Sequence, residues 1–186
     1  VLRLKESNTV FVLNGQGVVC EGKIKNKTKD AVEIDILGSS FIERKSNIVL
    51  LQSLIKQEAM ELVVEKAQEL GVTIFQPVIS ERCVVKIKDI KSSQNKIMRW
   101  QKIAVEAMKQ CSNPYLMTIE QPVLLNEAIT RYKGQKFALK IEAERLDINP
   151  TEVKDAVVLL TGPEGDLTDE EYNRAESAGF KPASLG

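Results

Sequence analysis

The chain has 186 residues, 43% of them apolar and 28% charged, with 26 basic side chains against 26 acidic ones. This is the balance of a soluble globular protein with enough apolar material for a core, arranged as one medium domain or one with a small satellite. No apolar run approaches the roughly 18 residues of a membrane span, and Val1-Leu2-Arg3-Leu4-Lys5 lacks the layout of a signal peptide.

Histidine is absent, which excludes a serine-histidine-acid triad and leaves no metal site to expect. Cys20, Cys83 and Cys111 match no metal or redox spacing and fit free thiols in a reducing cytoplasm, the expected location. The zero net charge hides an asymmetry. Residues 81–110 hold eight Lys/Arg against three Asp/Glu, and residues 142–176 hold three against eleven. The basic stretch is either a solvated helix surface or an RNA-binding face.

In chain order, short strands come first. Thr9–Leu13 is β-prone, Asn14-Gly15-Gln16-Gly17 is a turn, and Val18–Lys25 and Ala31–Leu37 follow as strands. Two such hairpins suggest a small β-barrel or part of one. Lys23 and Lys25 would share one strand face, as guards of an exposed edge or as phosphate contacts.

From about residue 47 the pattern changes to alternating helices and strands. Gln52–Leu70 carries Ile55, Ala59, Leu62, Val63, Ala67 and Leu70 at helical spacing, with Gly71 as its stop. Val72–Ile79 reads as a strand. Ser93–Cys111 reads as a helix with Ile97, Trp100, Ile103, Ala104, Ala107 and Cys111 on one side. Trp100, at that spacing, reads as core rather than as a base-stacking ring. Leu124–Tyr132 follows as a short helix and Lys136–Ile141 as a strand. Ala156–Thr161 is an unbroken apolar strand of the buried parallel type. Asp169–Ala178 is a helix with a capping box at Thr168 and Glu171, closed by Gly179, and Phe180–Leu185 is the next strand. This order predicts an α/β layer with a mainly parallel sheet.

The segment Thr161-Gly162-Pro163-Glu164-Gly165-Asp166 leaves the carboxyl end of a buried strand and enters a capped helix. Ligands settle at this edge of open α/β sheets. The glycines allow close backbone approach and the proline stiffens the loop. Glu164 and Asp166 would repel phosphate and would tolerate a sulfonium cation. Read without a ligand, the loop is a tight strand-to-helix turn.

Three segments carry a resemblance. They are Glu65–Val72 with Pro77 and Ser80–Val85; Arg99–Cys111; and Leu160–Gly165 with Glu171, Gly179-Phe180 and Ser184-Leu185-Gly186. In this order they resemble the family of the SPOUT superfamily that methylates N3 of a uridine in 16S ribosomal RNA. The resemblance implies a knotted SPOUT α/β domain over residues 47–186, preceded by a partial PUA-like β-barrel over residues 1–46 that binds RNA. It implies S-adenosyl-L-methionine as cofactor, 16S rRNA in the 30S subunit as substrate, and a homodimer. Thr161, Gly162, Pro163, Glu164 and Gly165 match the family's cofactor loop. Leu185 and Gly186 match the start of the next such loop, and Ile141 and Glu142 match the first.

Two positions depart from the family. It usually has glycine where Asp166 stands and commonly arginine where Asn113 stands. The family also continues past Leu185-Gly186 into a segment and final helix that complete the knot and much of the dimer interface, and its front is longer. The corresponding ends are expected to be disordered or missing, and their true absence would cripple cofactor binding.

Methylation at N3 needs an unpaired or splayed base and a route for the N3 proton. Without histidine, the base is a carboxylate or water. Glu106 and Glu164 qualify by position, although the first also reads as a helix-surface acid and the second as a loop-shaping residue. Arg82, Arg99, Lys102, Lys86 and Lys88 are the candidate phosphate contacts beside Lys23 and Lys25, or else members of a solvated face or of ion pairs. A catalytically silent RNA-binding protein that keeps the fold is the alternative reading. A nucleotide-using α/β enzyme is disfavoured by the lack of a phosphate-binding lysine in the loop.

Overall fold

The computed structural model describes residues 5–45, 47–85, 90–146 and 155–185. Three antiparallel strands, β1 (Thr9–Leu13), β2 (Val18–Lys27) and β3 (Val32–Phe41), form a sheet in that order. Asn14 shapes the first turn by accepting the N–H groups of Gln16 and Val18 through its side chain. Lys23 and Lys25 do lie on one face of β2, with Ile24 buried between them.

The remainder is a three-layer α/β unit. Its elements are β4 (Ile48–Ser53), α1 (Gln57–Glu69), β5 (Ile74–Ile79), α2 (Ile90–Cys111), β6 (Thr118–Ile119), β7 (Val123–Leu124), α3 (Leu125–Arg131), β8 (Gln135–Leu139), β9 (Val157–Thr161), α4 (Asp169–Ser177) and β10 (Phe180–Ala183). Every pairing in this sheet is parallel, in the order β10-β8-β9-β4-β5-β6, with β7 also on β5. Two-residue alternation sends side chains to two cores. On β5, Ile74 and Val78 join one core while Phe75 and Ile79 join the other. The first core packs under α3 and α4 around Leu51, Ala138, Val158 and Leu160. The second packs under α1 and α2, where Trp100 is 3% exposed and meets Phe75 edge to face at 6.5 Å. No described helix is long and apolar enough to cross a membrane.

Three local readings are corrected, and two short strands are added. The helix expected over Gln52–Leu70 begins at Gln57, because Ile48–Ser53 forms a central strand. The run Ile48-Val49-Leu50-Leu51 is covered on both faces by helices, so it shows no alternation to betray it. The inner face of α1 is Met60, Val64, Ala67 and Gln68, whereas Leu62 and Leu70 are 55% and 77% exposed. Cys111, at the end of α2, is exposed as well. Finally, β6 and β7 are two-residue strands, too short to leave a periodic signal. The capping box of α4 forms as the sequence indicates: Thr168 Oγ1 accepts the Glu171 N–H, and Glu171 Oε2 accepts the Thr168 N–H.

Candidate functional site

The carboxyl ends of β8, β9 and β10 open on one cavity of about 320 Å³. Leu139, Lys140 and Ile141 line it after β8, Pro163, Glu164 and Asp166 after β9, and Ala183, Ser184 and Leu185 at the end of β10. This is the sheet edge at which α/β folds place ligands, and the volume falls in the range of small-molecule sites. Of the predicted cofactor residues, Ile141, Pro163, Glu164 and Leu185 come together here. Thr161, Gly162 and Gly165 shape the loop rather than line the cavity, Glu142 is exposed beside it, and Gly186 lies outside the described residues.

The loop after β9 is held from several sides. Asp166 N–H donates to Pro163 O at 2.9 Å, closing a tight turn. Arg82 Nη1 donates to Gly165 O at 2.8 Å and to Leu167 O at 3.3 Å. Glu171, 3% exposed, accepts the Glu81 N–H at 2.8 Å. The segment after β5 is thereby stapled to the loop and to α4. On the other flank, Glu164 Oε1 accepts the Lys56 N–H at 3.0 Å, at the N-terminus of α1.

That bond, from an orphan helix-start amide, pulls the Glu164 carboxyl below its ordinary value of 4.5. A carboxylate held ionised in this way shapes the loop and makes a weak general base. The sign of its pH effect follows: a depressed folded-state pKa stabilises above the unfolded value, and the effect is lost as pH falls through the folded value. Wild type is therefore expected to melt higher than Glu164→Gln at neutral pH. The gap should close on acidification below 4.5; a gap independent of pH would refute this role.

Asp166 adopts φ +60°, in the left-handed region that favours glycine. Its carboxylate compensates. Asp166 Oδ1 accepts the Leu167 N–H at 2.8 Å and the Tyr172 O–H at 2.7 Å. Burial, followed by the bond to Asp166, pushes the Tyr172 phenol well above its ordinary value of 10.0. Asn113, the other departure, is structural here: its side chain donates to Gln68 O and accepts the Tyr115 N–H.

The loop suits a cationic, partly apolar ligand. Apolar side chains form most of the cavity wall, two carboxylates and the Lys140 ammonium border it, and the buried Thr161 hydroxyl has no hydrogen-bond partner among the described residues. No described group of acidic or cysteine side chains could hold a metal ion. Glu106 is exposed on α2 and paired with Lys109 at 2.7 Å, away from the cavity lining.

The predicted phosphate contacts sit on separate elements. Lys102 is exposed on α2, and Arg99 pairs with Glu61 of α1 at 2.6 Å. Lys25 pairs with Glu33 at 3.0 Å and with Asp35 at 3.7 Å, and Lys23 is exposed beside it. Lys86 and Lys88 lie outside the described residues. Sequence reasoning missed Lys140 and Ser184 on the cavity wall, Arg82 as a loop clamp, and Tyr172 beneath the loop. For Arg82 the sequence offers RNA contact, a solvated face or an ion pair, and nothing local points to the carbonyls of Gly165 and Leu167 that its guanidinium holds.

The model of the RNA methyltransferase domain family matches residues 43–186. The ribosomal RNA small subunit methyltransferase E of Synechocystis sp. is 30% identical, over all of this chain and 62% of its own length. The protein of that name from Aquifex aeolicus is 35% identical, over 91% of this chain and 76% of its own. The chain thus spans less than two thirds of the first relative and about three quarters of the second. The crystal structure of a ribosomal RNA small subunit methyltransferase E from Neisseria gonorrhoeae, bound to S-adenosyl methionine, superposes with TM-score 0.90. It is 30% identical, and the alignment covers all of this chain and 77% of that one. The chain belongs to the RNA methyltransferase family, among the ribosomal RNA small subunit methyltransferases E.

Proposed function

We propose that the chain is an S-adenosyl-L-methionine-dependent methyltransferase that modifies N3 of a uridine in 16S rRNA of the small ribosomal subunit. The convergence of three neighbouring strand-end loops on one largely apolar cavity carries this reading. It is supported by the similar Neisseria gonorrhoeae protein, which binds S-adenosyl methionine. When bound, the cofactor supplies an electrophilic methyl group on a sulfonium centre. This chain's residues then bind and orient it. Pro163, Leu185 and Ile141 supply apolar walls, while the loop 161–165, held by Arg82 and by the Lys56 amide, sets the position of Pro163 and Glu164 on the cavity. Holding donor and acceptor at attack distance supplies much of the acceleration in such a site. Glu164 is committed to Lys56 and Glu106 to Lys109, so water is the better candidate to receive the N3 proton.

The same reading covers the rest of the chain. Residues 1–46 would form the RNA-binding, PUA-like barrel and residues 47–186 the knotted catalytic domain. The knot is supported by the pairing of Ser184 with Arg145, which seats the end of β10 against the loop that follows β8. The enzyme would act as a cytoplasmic homodimer. Lys23, Lys25, Arg82, Arg99 and Lys102 would contact RNA phosphates, with Arg82 using the guanidinium edge that the loop leaves open.

The test is transfer of labelled methyl from S-adenosylmethionine to 30S subunits that lack the modification, followed by reverse transcription. Methylation at N3 blocks the pairing edge, so one new stop at a uridine is expected. Cofactor binding without label on the subunits would reject the rRNA substrate.

A further inference from the structure

The geometry points to Tyr172 and Asp166 as a tether that fixes the spacing of two cofactor loops, making Tyr172 a positioning residue outside the cavity lining. This rests on the cofactor reading above. Tyr172 stands on α4 with its ring in the core, 4% exposed. Its single hydroxyl proton is shared between two acceptors. One is Leu139 O at the end of β8, at 2.8 Å, and the other is Asp166 Oδ1 in the loop after β9, at 2.7 Å. Leu139 and Asp166 both line the cavity, on different walls. The Lys140 ammonium, on the first wall, lies 4.9 Å from the centre of the Tyr172 ring.

The tether explains a feature of the backbone. Asp166 holds a conformation that strains most side chains. Its Oδ1 uses that conformation to reach both Leu167 N and the phenol. The loop is set by the side chain that the strain serves. Glycine at this position would relax the backbone and cut the link. Asparagine, which also tolerates the left-handed region, would keep an acceptor in place. Stability and ligand binding are therefore separable here, which a merely structural contact would not allow.

Four variants of the full chain test this: Tyr172→Phe, Asp166→Gly, Asp166→Asn and the double variant Tyr172→Phe/Asp166→Gly. Phenylalanine keeps the packing and removes only the hydroxyl, so its Kd for S-adenosylmethionine is expected to rise about fivefold to tenfold, the worth of one hydrogen bond. KM for the cofactor should rise equally while kcat stays within about twofold, as for lost uniform binding. Asp166→Gly should bind as weakly as Tyr172→Phe yet melt at or above the wild-type temperature. Asp166→Asn should restore binding. The double variant should be no weaker than either single change, because both remove one link.

Amide hydrogen exchange without ligand provides a readout independent of the cofactor. Exchange at 139–142 and 163–167 should quicken in Tyr172→Phe and Asp166→Gly, and in Asp166→Asn it should match wild type. Unchanged exchange and unchanged affinity in Tyr172→Phe would overturn the tether, as would additive losses in the double variant. A wild-type chain that fails to bind S-adenosylmethionine, with exchange altered as described, would sink the cofactor reading and leave the tether standing.

Discussion

Gly162→Ala is expected to weaken binding of S-adenosylmethionine and to slow methyl transfer by about 100-fold, the rate cost of an ångström of misplacement in a reacting site. A Cβ on Gly162 would stand 2.8 Å from Asp166 Oδ1, 2.9 Å from Leu167 N and 3.1 Å from Asp166 Cα. Two of these are backbone atoms and the third is a carboxylate already fixed by two hydrogen bonds, so no flexible end can swing away. Space opens only if the turn from Pro163 to Asp166 moves. That turn is the wall facing Leu185 across the cavity. The fold should survive, since overpacking of this kind costs about 1–3 kcal/mol, a fraction of the roughly 5–15 kcal/mol that holds a domain. Calorimetric titration beside thermal melting separates the two effects. A variant that binds the cofactor as wild type does would show that the loop is not part of the site.

Gly134→Ala should have the larger effect on stability, a loss of about 3–5 kcal/mol, as the sum of left-side backbone strain and a forced backbone shift. Gly134 has φ +133°, and a Cβ there would lie 2.0 Å from Ala156 O and 2.8 Å from Ala156 C. The carbonyl that would be struck accepts the Gln135 N–H and starts the pairing of β8 with β9. Strand separation at this point would unpair β8, and with it β10, from the rest of the parallel sheet. In urea, the midpoint should fall with an unchanged slope, the signature of lost stability with the same surface exposed on unfolding. A midpoint within experimental error of wild type would contradict the close approach of the two strands.

The contrast between these glycines shows what the sequence could and could not disclose. Gly162 sits in a segment whose composition already marks a stiff turn at a strand end, and the structure seats that turn on a cavity. Gly134 follows an unremarkable short helix, and nothing local reveals that a neighbouring strand passes within contact distance. The same holds elsewhere. The capping box of α4 is written in Thr168 and Glu171, because capping is an interaction over three residues. The strand β4 was hidden because burial on both faces removes alternation, and the apolar face of α1 was misjudged because Leu62 and Leu70 point outward. The walls of the cavity around Pro163 and Leu185 were legible from motif order. Lys140, Arg82 and Tyr172 were not, since their roles depend on segments far apart in the chain being brought together, 33 residues apart for Tyr172 and Leu139 and 85 for Arg82 and Leu167. Charge was the least informative: for Arg99 and Lys25 the sequence admits both phosphate contact and a plain surface role, and in the folded chain they carry ion pairs whose partners a string of letters does not show. The Lys25 pair is exposed on both sides and weak in water, so an incoming phosphate can compete for it, whereas Glu61 in the Arg99 pair is only 20% exposed.

Calorimetric titration of the wild-type chain with S-adenosylmethionine decides whether the loops after β8, β9 and β10 build a site for that cofactor. One saturable binding event per chain is expected, displaced by S-adenosylhomocysteine and sharply weakened by Gly162→Ala. No heat of binding at saturating cofactor, or binding untouched by that substitution, would mean that these loops do not form the site.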